Sequence, residues 1–210
     1  MKEKVISALK WFFKSFIWLF IVLLALDIVT KQIILHCTPD ESGLIADWKI
    51  VKISYVLNEN AAFGIGVGNP TASRIIYLII ATLASAGIIT YLILKRKTTK
   101  LFVRAALMMV VAGAIGNMID RVFYGTMEYE NVDFLFTGSV VDWIHFDWVW
   151  DYVFNIADCC IVIAAFMLII YIIVGEVKDA IAKKRQEEPA GRVLSVTEKE
   201  RLEEQEKKKD

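Results

Sequence analysis

The chain has 210 residues, of which 57% are hydrophobic, with a mean hydropathy of +0.52 and a formal net charge of zero. Several apolar runs approach the length of a membrane-crossing helix, which argues against a soluble globular domain and predicts an integral membrane protein of a few spans. The balanced charge gives no sign of a nucleic-acid partner, and three cysteines, an odd number, make no disulfide framework.

Residues 1–14 are basic, with Lys2, Lys4, Lys10 and Lys14. They lead into a first expected span at 15–35. This run is too long for the apolar region of a secretory signal and lacks a small-residue cleavage site, so it is read as retained. It carries Asp27 and Lys31, four apart and therefore on one helical face, where pairing reduces the cost of placing each near the membrane. The spacing leaves open whether that pair is structural or touches a substrate. His36 is too large for the residue preceding a lipoprotein acceptor cysteine, so Cys37 is not expected to be lipidated.

The segment 37–70 is polar and glycine-bearing. Within it 47–58 alternates as a strand does, and Asn58 to Gly66 reads as a turn of small residues beside amides. A second span is expected at 75–94 and a third at 101–119, joined by a turn carrying Lys95, Arg96, Lys97 and Lys100. At the end of the third, Asn117, Asp120 and Arg121 are three and four apart and project from one helical face. The segment 122–152 has no lysine or arginine and is rich in acids and tryptophan, as an interfacial segment with an aromatic belt would be. A fourth span is expected at 153–174, with Cys159 and Cys160 as small core residues. The charged tail 175–210 is expected to be helical or partly disordered, so 1–174 forms the single membrane domain.

Lysine and arginine concentrate at residues 1–14, at 95–100 and at the start of the tail, which places those parts on the cytoplasmic side. Asp27, Lys31, Asn58, Asn117, Asp120, Arg121, Asp142, Asn155 and Asp158 then all converge on the outer face. A metal site does not fit, because His36 and His145 lie in different outer segments and the acids lack ligand spacing; no metal or cofactor is expected. Ser139 lacks a base placed to activate it. Two aspartates remain, Asp142 and Asp158. Carboxylates held close together share one proton, and such a pair can activate water against an amide while hydrogen-bonding its carbonyl oxygen. The plainer alternative is a helix cap, for which Asp151 is better placed than Asp158, which falls inside the expected span.

The chain resembles the signal peptidase II family, bacterial inner-membrane aspartic peptidases of lipoproteins, over roughly 24–174. The resemblance rests on Asp27 and Lys31; Asn58-Glu59-Asn60-Ala61-Ala62-Phe63-Gly64, like N-x-G-A-A-F; Gly116-Asn117-Met118-Ile119-Asp120-Arg121, like G-N-x-x-D-R; Val140-Val141-Asp142-Trp143, like V-V-D-F; and Phe154-Asn155-Ile156-Ala157-Asp158, like F-N-x-A-D. It implies an all-α membrane fold of four transmembrane helices, with a small extracytoplasmic β-cradle and a second extracytoplasmic segment arching over the site. It implies Asp142 and Asp158 as the catalytic pair, Asn58, Asn117, Arg121 and Asn155 as substrate-binding residues, and Asp27, Lys31 and Asp120 as supporting ones. The implied substrate is a diacylglyceryl-prolipoprotein entering from the membrane lipid and cut before its lipidated cysteine. A monomer sensitive to globomycin-type inhibitors is expected. Three departures from the family pattern are Asn60 in place of glycine, an insertion at 126–137 and a longer tail. Two other readings are a proton-coupled transporter using Asp27, Asp120 and Asp158, and an inactive lipoprotein-binding protein. Acids clustered at one face count against the first, and the presence of both candidate carboxylates counts against the second.

Overall fold

The computed structural model describes residues 2–37, 43–58, 70–123, 138–148 and 151–187. The motif residues 59–64 and the insertion 126–137 lie outside them. In chain order the elements are α1 (Lys2–Ser15), α2 (Ile17–Cys37), β1 (Gly43–Asp47), β2 (Lys52–Asn58), α3 (Pro70–Leu94), α4 (Leu101–Phe123), β3 (Val140–His145), β4 (Val153–Phe154) and α5 (Ile156–Glu187). The segments α2 to α5 are long and apolar enough to cross a membrane, as expected from the four apolar runs. Ile21, Val22, Leu26 and Val29 of α2 and Ile79, Ile80 and Leu83 of α3 are exposed, so these helices present apolar faces that suit acyl chains.

Helix α4 packs against both α2 and α3. Its approach to α5 is set by glycine. A Cβ at Gly113 would collide with the Ala157 carbonyl, and one at Gly116 would lie 3.3 Å from the Ala157 Cβ. Ala157, Cys160 and Ala164 on the α5 side are small and buried, so the two backbones come together where larger residues would hold them apart.

The strands form one antiparallel sheet in the order β1-β2-β3-β4. The sequence reading of one strand over 47–58 is corrected here, because Asp47 ends β1 and a tight turn reverses the chain into β2. Lys49 sits at φ 65° in that turn, with its N–H donating to Asp47 Oδ1 at 2.8 Å. This side-chain acceptor and left-handed residue make a turn that alternation alone does not reveal. Ile34, Tyr55 and Val141 form a buried cluster with Leu35, Ile53, Leu57 and Trp143 against it, seating the sheet on the end of α2. Successive strand side chains point to opposite faces, so Val141 and Trp143 entering this cluster turn Asp142 the other way. The register Val56↔Asp142 and Asn58↔Val140 then brings Asn58 beside Asp142.

Residues 153–154 belong to β4, so the fourth apolar helix begins at Ile156. It continues to Glu187, making the first part of the expected tail helical. By internal contacts the chain divides into residues 1–169 and 170–210, and the described part of the second unit is the remainder of α5.

Candidate active site

The amino-terminal end of α5 is built by a reciprocal cap. The Asn155 carbonyl accepts the first helical bond from Cys159 N–H at 3.1 Å, and Asn155 Oδ1 accepts from Asp158 N–H at 3.0 Å. Asp158 Oδ2 in turn accepts from Asn155 N–H at 3.3 Å. This is a capping box with Asn155 as cap and Asp158 in the first turn. The placement of Asp158 too deep in the helix to act as a cap is therefore corrected. Asp151, the expected cap, lies before β4 in an exposed bend.

Because its Oδ1 is occupied by Asp158 N–H, Asn155 turns its Nδ2 donors outward. They reach Asp142 Oδ1 at 2.6 Å, Asn117 Oδ1 at 3.1 Å and Val141 O at 3.3 Å. Asn58 Nδ2 donates to the other Asp142 oxygen at 2.9 Å, and Asn117 Nδ2 donates to Asp158 Oδ1 at 2.8 Å. Three asparagines and one backbone N–H thus supply one donor to each of the four oxygens of Asp142 and Asp158. Asn155, fully buried, touches both carboxylates.

The orientation of Asn117 is fixed from behind. Lys31 Nζ, which can only donate, reaches Asn117 Oδ1 at 3.0 Å, leaving the amide nitrogen to face Asp158. The same ammonium lies 2.8 Å from Asp27 Oδ2 and 2.8 Å from Asp120 Oδ2, so all three of its protons have acceptors. Lys31 is deeply buried. Each of its two carboxylate partners also holds one backbone N–H. Asp27 Oδ1 accepts from Ala157 N–H at 2.8 Å, and Asp120 Oδ2 from Val141 N–H at 3.2 Å. Ala157 and Val141 are the residues immediately before Asp158 and Asp142. The triad therefore grips the two backbone segments that carry the two aspartates, joining α2, α4, β3 and α5 at one lysine.

Asp142 is 1% exposed. Burial, then the neighbouring charge of Asp158, pushes its carboxyl up to about 7, against the opposing donor bonds of Asn58 and Asn155. Arg121 donates to Asn117 O at 3.2 Å, stacks its guanidinium 5.6 Å from the centre of the Tyr77 ring, and lies within electrostatic reach of Asp120, Asp142 and Asp158. Every site residue singled out in the sequence is thus drawn into this one region.

His145, adjacent to the site in sequence, faces Ser54 instead, with Nδ1 and Oγ 3.4 Å apart. Among the described residues no three of His, Cys, Asp and Glu gather as a metal ion would require. Sequence reasoning passed over Arg74 of α3, which is buried and donates to Ser139 Oγ at 3.3 Å, tethering the entry to β3. One signal was available: an arginine at the end of a span opposite to the lysine-rich end runs against the usual charge bias and marks a residue with a specific partner.

The sequence profile of one family, described as signal peptidase (SPase) II, matches residues 19–174. A lipoprotein signal peptidase of Clostridioides difficile is 32% identical over 164 residues, covering 78% of this chain and 98% of that protein. One from Chlorobium phaeobacteroides is 34% identical over 155 residues, covering 71% and 90%. A bacterial membrane enzyme solved by the in meso method at 2.3 Å superposes with a TM-score of 0.57 at 26% identity, covering 84% of this chain and 93% of the other.

Proposed function

Since the chain belongs to the signal peptidase II family, and is thereby a multi-pass bacterial membrane protease of lipoproteins, we propose that it cleaves by an aspartic mechanism with Asp142 and Asp158 as the dyad. The observation that carries this reading is Asn155, whose side chain donates to Asp142 while its backbone donates to Asp158. A pair so tied can exchange roles about a single bound water.

At neutral pH the dyad holds one proton. The buried Asp142, with its carboxyl near 7, is the better proton holder and hydrogen-bonds the scissile carbonyl oxygen. Asp158, supplied with donors by Asn117 and by Asn155 N–H, is the carboxylate that takes a proton from water as the water oxygen attacks the carbonyl carbon. Asp142 gives its proton to the carbonyl oxygen, forming a neutral tetrahedral diol. On collapse, Asp158 returns its proton to the leaving amine nitrogen, the C–N bond breaks, and Asp142 recovers a proton from a diol hydroxyl. No covalent enzyme intermediate forms.

The substrate is a diacylglyceryl-modified prolipoprotein cut before the lipidated cysteine, with Asn58, Asn117, Arg121 and Asn155 lining its site and Asp27, Lys31 and Asp120 supporting it. The complete burial of Lys31 favours the structural over the substrate-contacting reading of its pair with Asp27. The dyad lies near the outer face, with both termini cytoplasmic, the enzyme acts as a monomer, and a globomycin-type cyclic peptide occupies the same site.

The test is cleavage of a diacylglyceryl-modified prolipoprotein by purified wild type, Asp142→Asn and Asp158→Asn, with folding and substrate binding checked for each. Both variants are expected to bind and to lose cleavage. Near wild-type cleavage by either one would remove the dyad assignment and make Asp120 the next carboxylate to examine.

A further inference from the structure

Helix α1 lies outside the region that matches the family, and every one of its side chains is at least partly exposed. Val5, Ile6, Leu9, Phe12 and Phe13 fall on one side at helical spacing. Glu3, Lys4, Ser7, Lys10 and Lys14 fall on the other, joined by Trp11, while Lys2 begins the helix on the apolar side. Val5, Leu9 and Phe13 are each more than half exposed, so none of the described residues covers this apolar side. A helix of 14 residues held only near its carboxyl-terminal end is marginal in water, so this one needs a surface.

Its position indicates which surface. Phe16, at φ 60°, breaks the helix between α1 and α2 and lets the two take different directions. The break is stabilised locally, since Trp18 Nε1 donates to Phe13 O at 3.3 Å and Ile17 N–H donates to Ser15 Oγ at 3.3 Å. Arg104, in the first turn of α4, donates from Nη1 to Lys14 O at 2.7 Å, and from Nη2 to Arg96 O at 2.6 Å and Thr99 O at 3.1 Å. One guanidinium thus binds the end of α1 to the turn joining α3 and α4. Since α2, α3 and α4 are all membrane-crossing segments, that level is a membrane boundary. Four lysines and one glutamate leave α1 strongly positive, beside the cationic turn of Lys95, Arg96, Lys97 and Lys100.

We infer that α1 is an interfacial helix whose apolar side enters the acyl boundary and whose lysines bind anionic phospholipid headgroups at the leaflet where α2 begins. Apolar burial and the attraction of each lysine to a negative surface act together, whereas a peptide or a second copy would have to match both faces at once.

The test uses the full chain, one copy per nanodisc, in phosphatidylcholine alone or with about one-third phosphatidylglycerol, a fraction that makes the surface clearly negative. Hydrogen exchange of the backbone amides of residues 5–13 is read by mass spectrometry. Exchange about tenfold slower or more in the anionic disc is expected, with loss of that protection in Lys4→Gln/Lys10→Gln/Lys14→Gln and in Leu9→Glu/Phe13→Glu. Both variants should retain wild-type cleavage in detergent. Equal exchange in the two lipids, or protection that requires two copies per disc, would overturn the inference. The wild-type comparison decides by itself, so a variant that fails to fold does not leave the question open.

Discussion

Two residues at the site make separable contributions. Asn58 donates to Asp142 and so favours its ionised form; removing that donor leaves burial and the Asp158 charge less opposed. Asn58→Ala is therefore expected to move the alkaline limb of kcat/KM to higher pH, by about one pH unit, given the strength of a donor bond to a carboxylate. The sign follows from the proton that the reaction needs: a higher dyad pKa retains it further into alkaline solution. A limb that moves down, read from the full pH profile, would contradict this placement of Asn58. Asn155→Ala removes both the helix cap and the bridge between the carboxylates. Loss of the cap is expected to cost about 1 kcal/mol in thermal unfolding. Loss of the bridge is expected to lower kcat on the order of a hundredfold, as misplacement of reacting groups does. These residues were legible in the sequence as motif members, but their division of labour was not. That depends on what each amide meets in space: Asn58 reaches Asp142 across 84 positions, and Asn117, the partner of Asn155, is turned by Lys31 across 86.

At the level of elements, helices α2 to α5 were legible because apolar runs of spanning length have few other uses, and the Asp27 to Lys31 pair because helical spacing is local; α1, read only as a basic segment, was not. The boundaries were less so. β4 and the reciprocal cap at Asn155 lie within or beside an apolar run, and the turn around Lys49 interrupts what reads as one alternating strand. The contact between α4 and α5 was also hidden, since glycine marks a close approach only once the neighbour is known. A methyl at Gly116 would lie 2.5 Å from Asp27 Oδ2 and 3.2 Å from its Cγ. Gly116→Ala is expected to destabilise the fold by about 1–3 kcal/mol, as overpacking does, and to loosen Asp27 from Ala157 N–H. Lys31→Ala would strand two buried carboxylates, at a cost of about 3–5 kcal/mol. It should reduce folded yield more than turnover per folded molecule, measured by active-site titration after purification. The opposite ranking would move Lys31 from support into the chemistry.

At the level of the whole molecule, the orientation proposed from charge bias can be read at Cys37. It is an exposed free thiol at the end of α2 away from the basic helix α1, whereas Cys160 is buried. A membrane-impermeant maleimide added to intact spheroplasts is expected to label Cys37, and Cys37→Ser should abolish that labelling. Labelling of Cys37 only after lysis would invert the topology and place the dyad at the cytoplasmic face. The partners in the long-range ties that assemble the molecule cannot be matched from the sequence. Arg74 finds Ser139 across 65 positions, and Arg104 finds Lys14 across 90, so neither pair has a spacing to notice.

Lys31 carries a consequence for how such an enzyme is made. The two backbone segments bearing Asp142 and Asp158 are held through Asp120 and Asp27, and both of those carboxylates meet at this one ammonium. During synthesis α2 leaves the ribosome early and α5 late. Until α5 has inserted, Asp27 has no Ala157 N–H to hold and Asp142 has no partner carboxylate. If Asp142 and Asp158 form the dyad proposed above, a half-inserted chain is inert, and its capacity to cut arises only when its own assembly is complete.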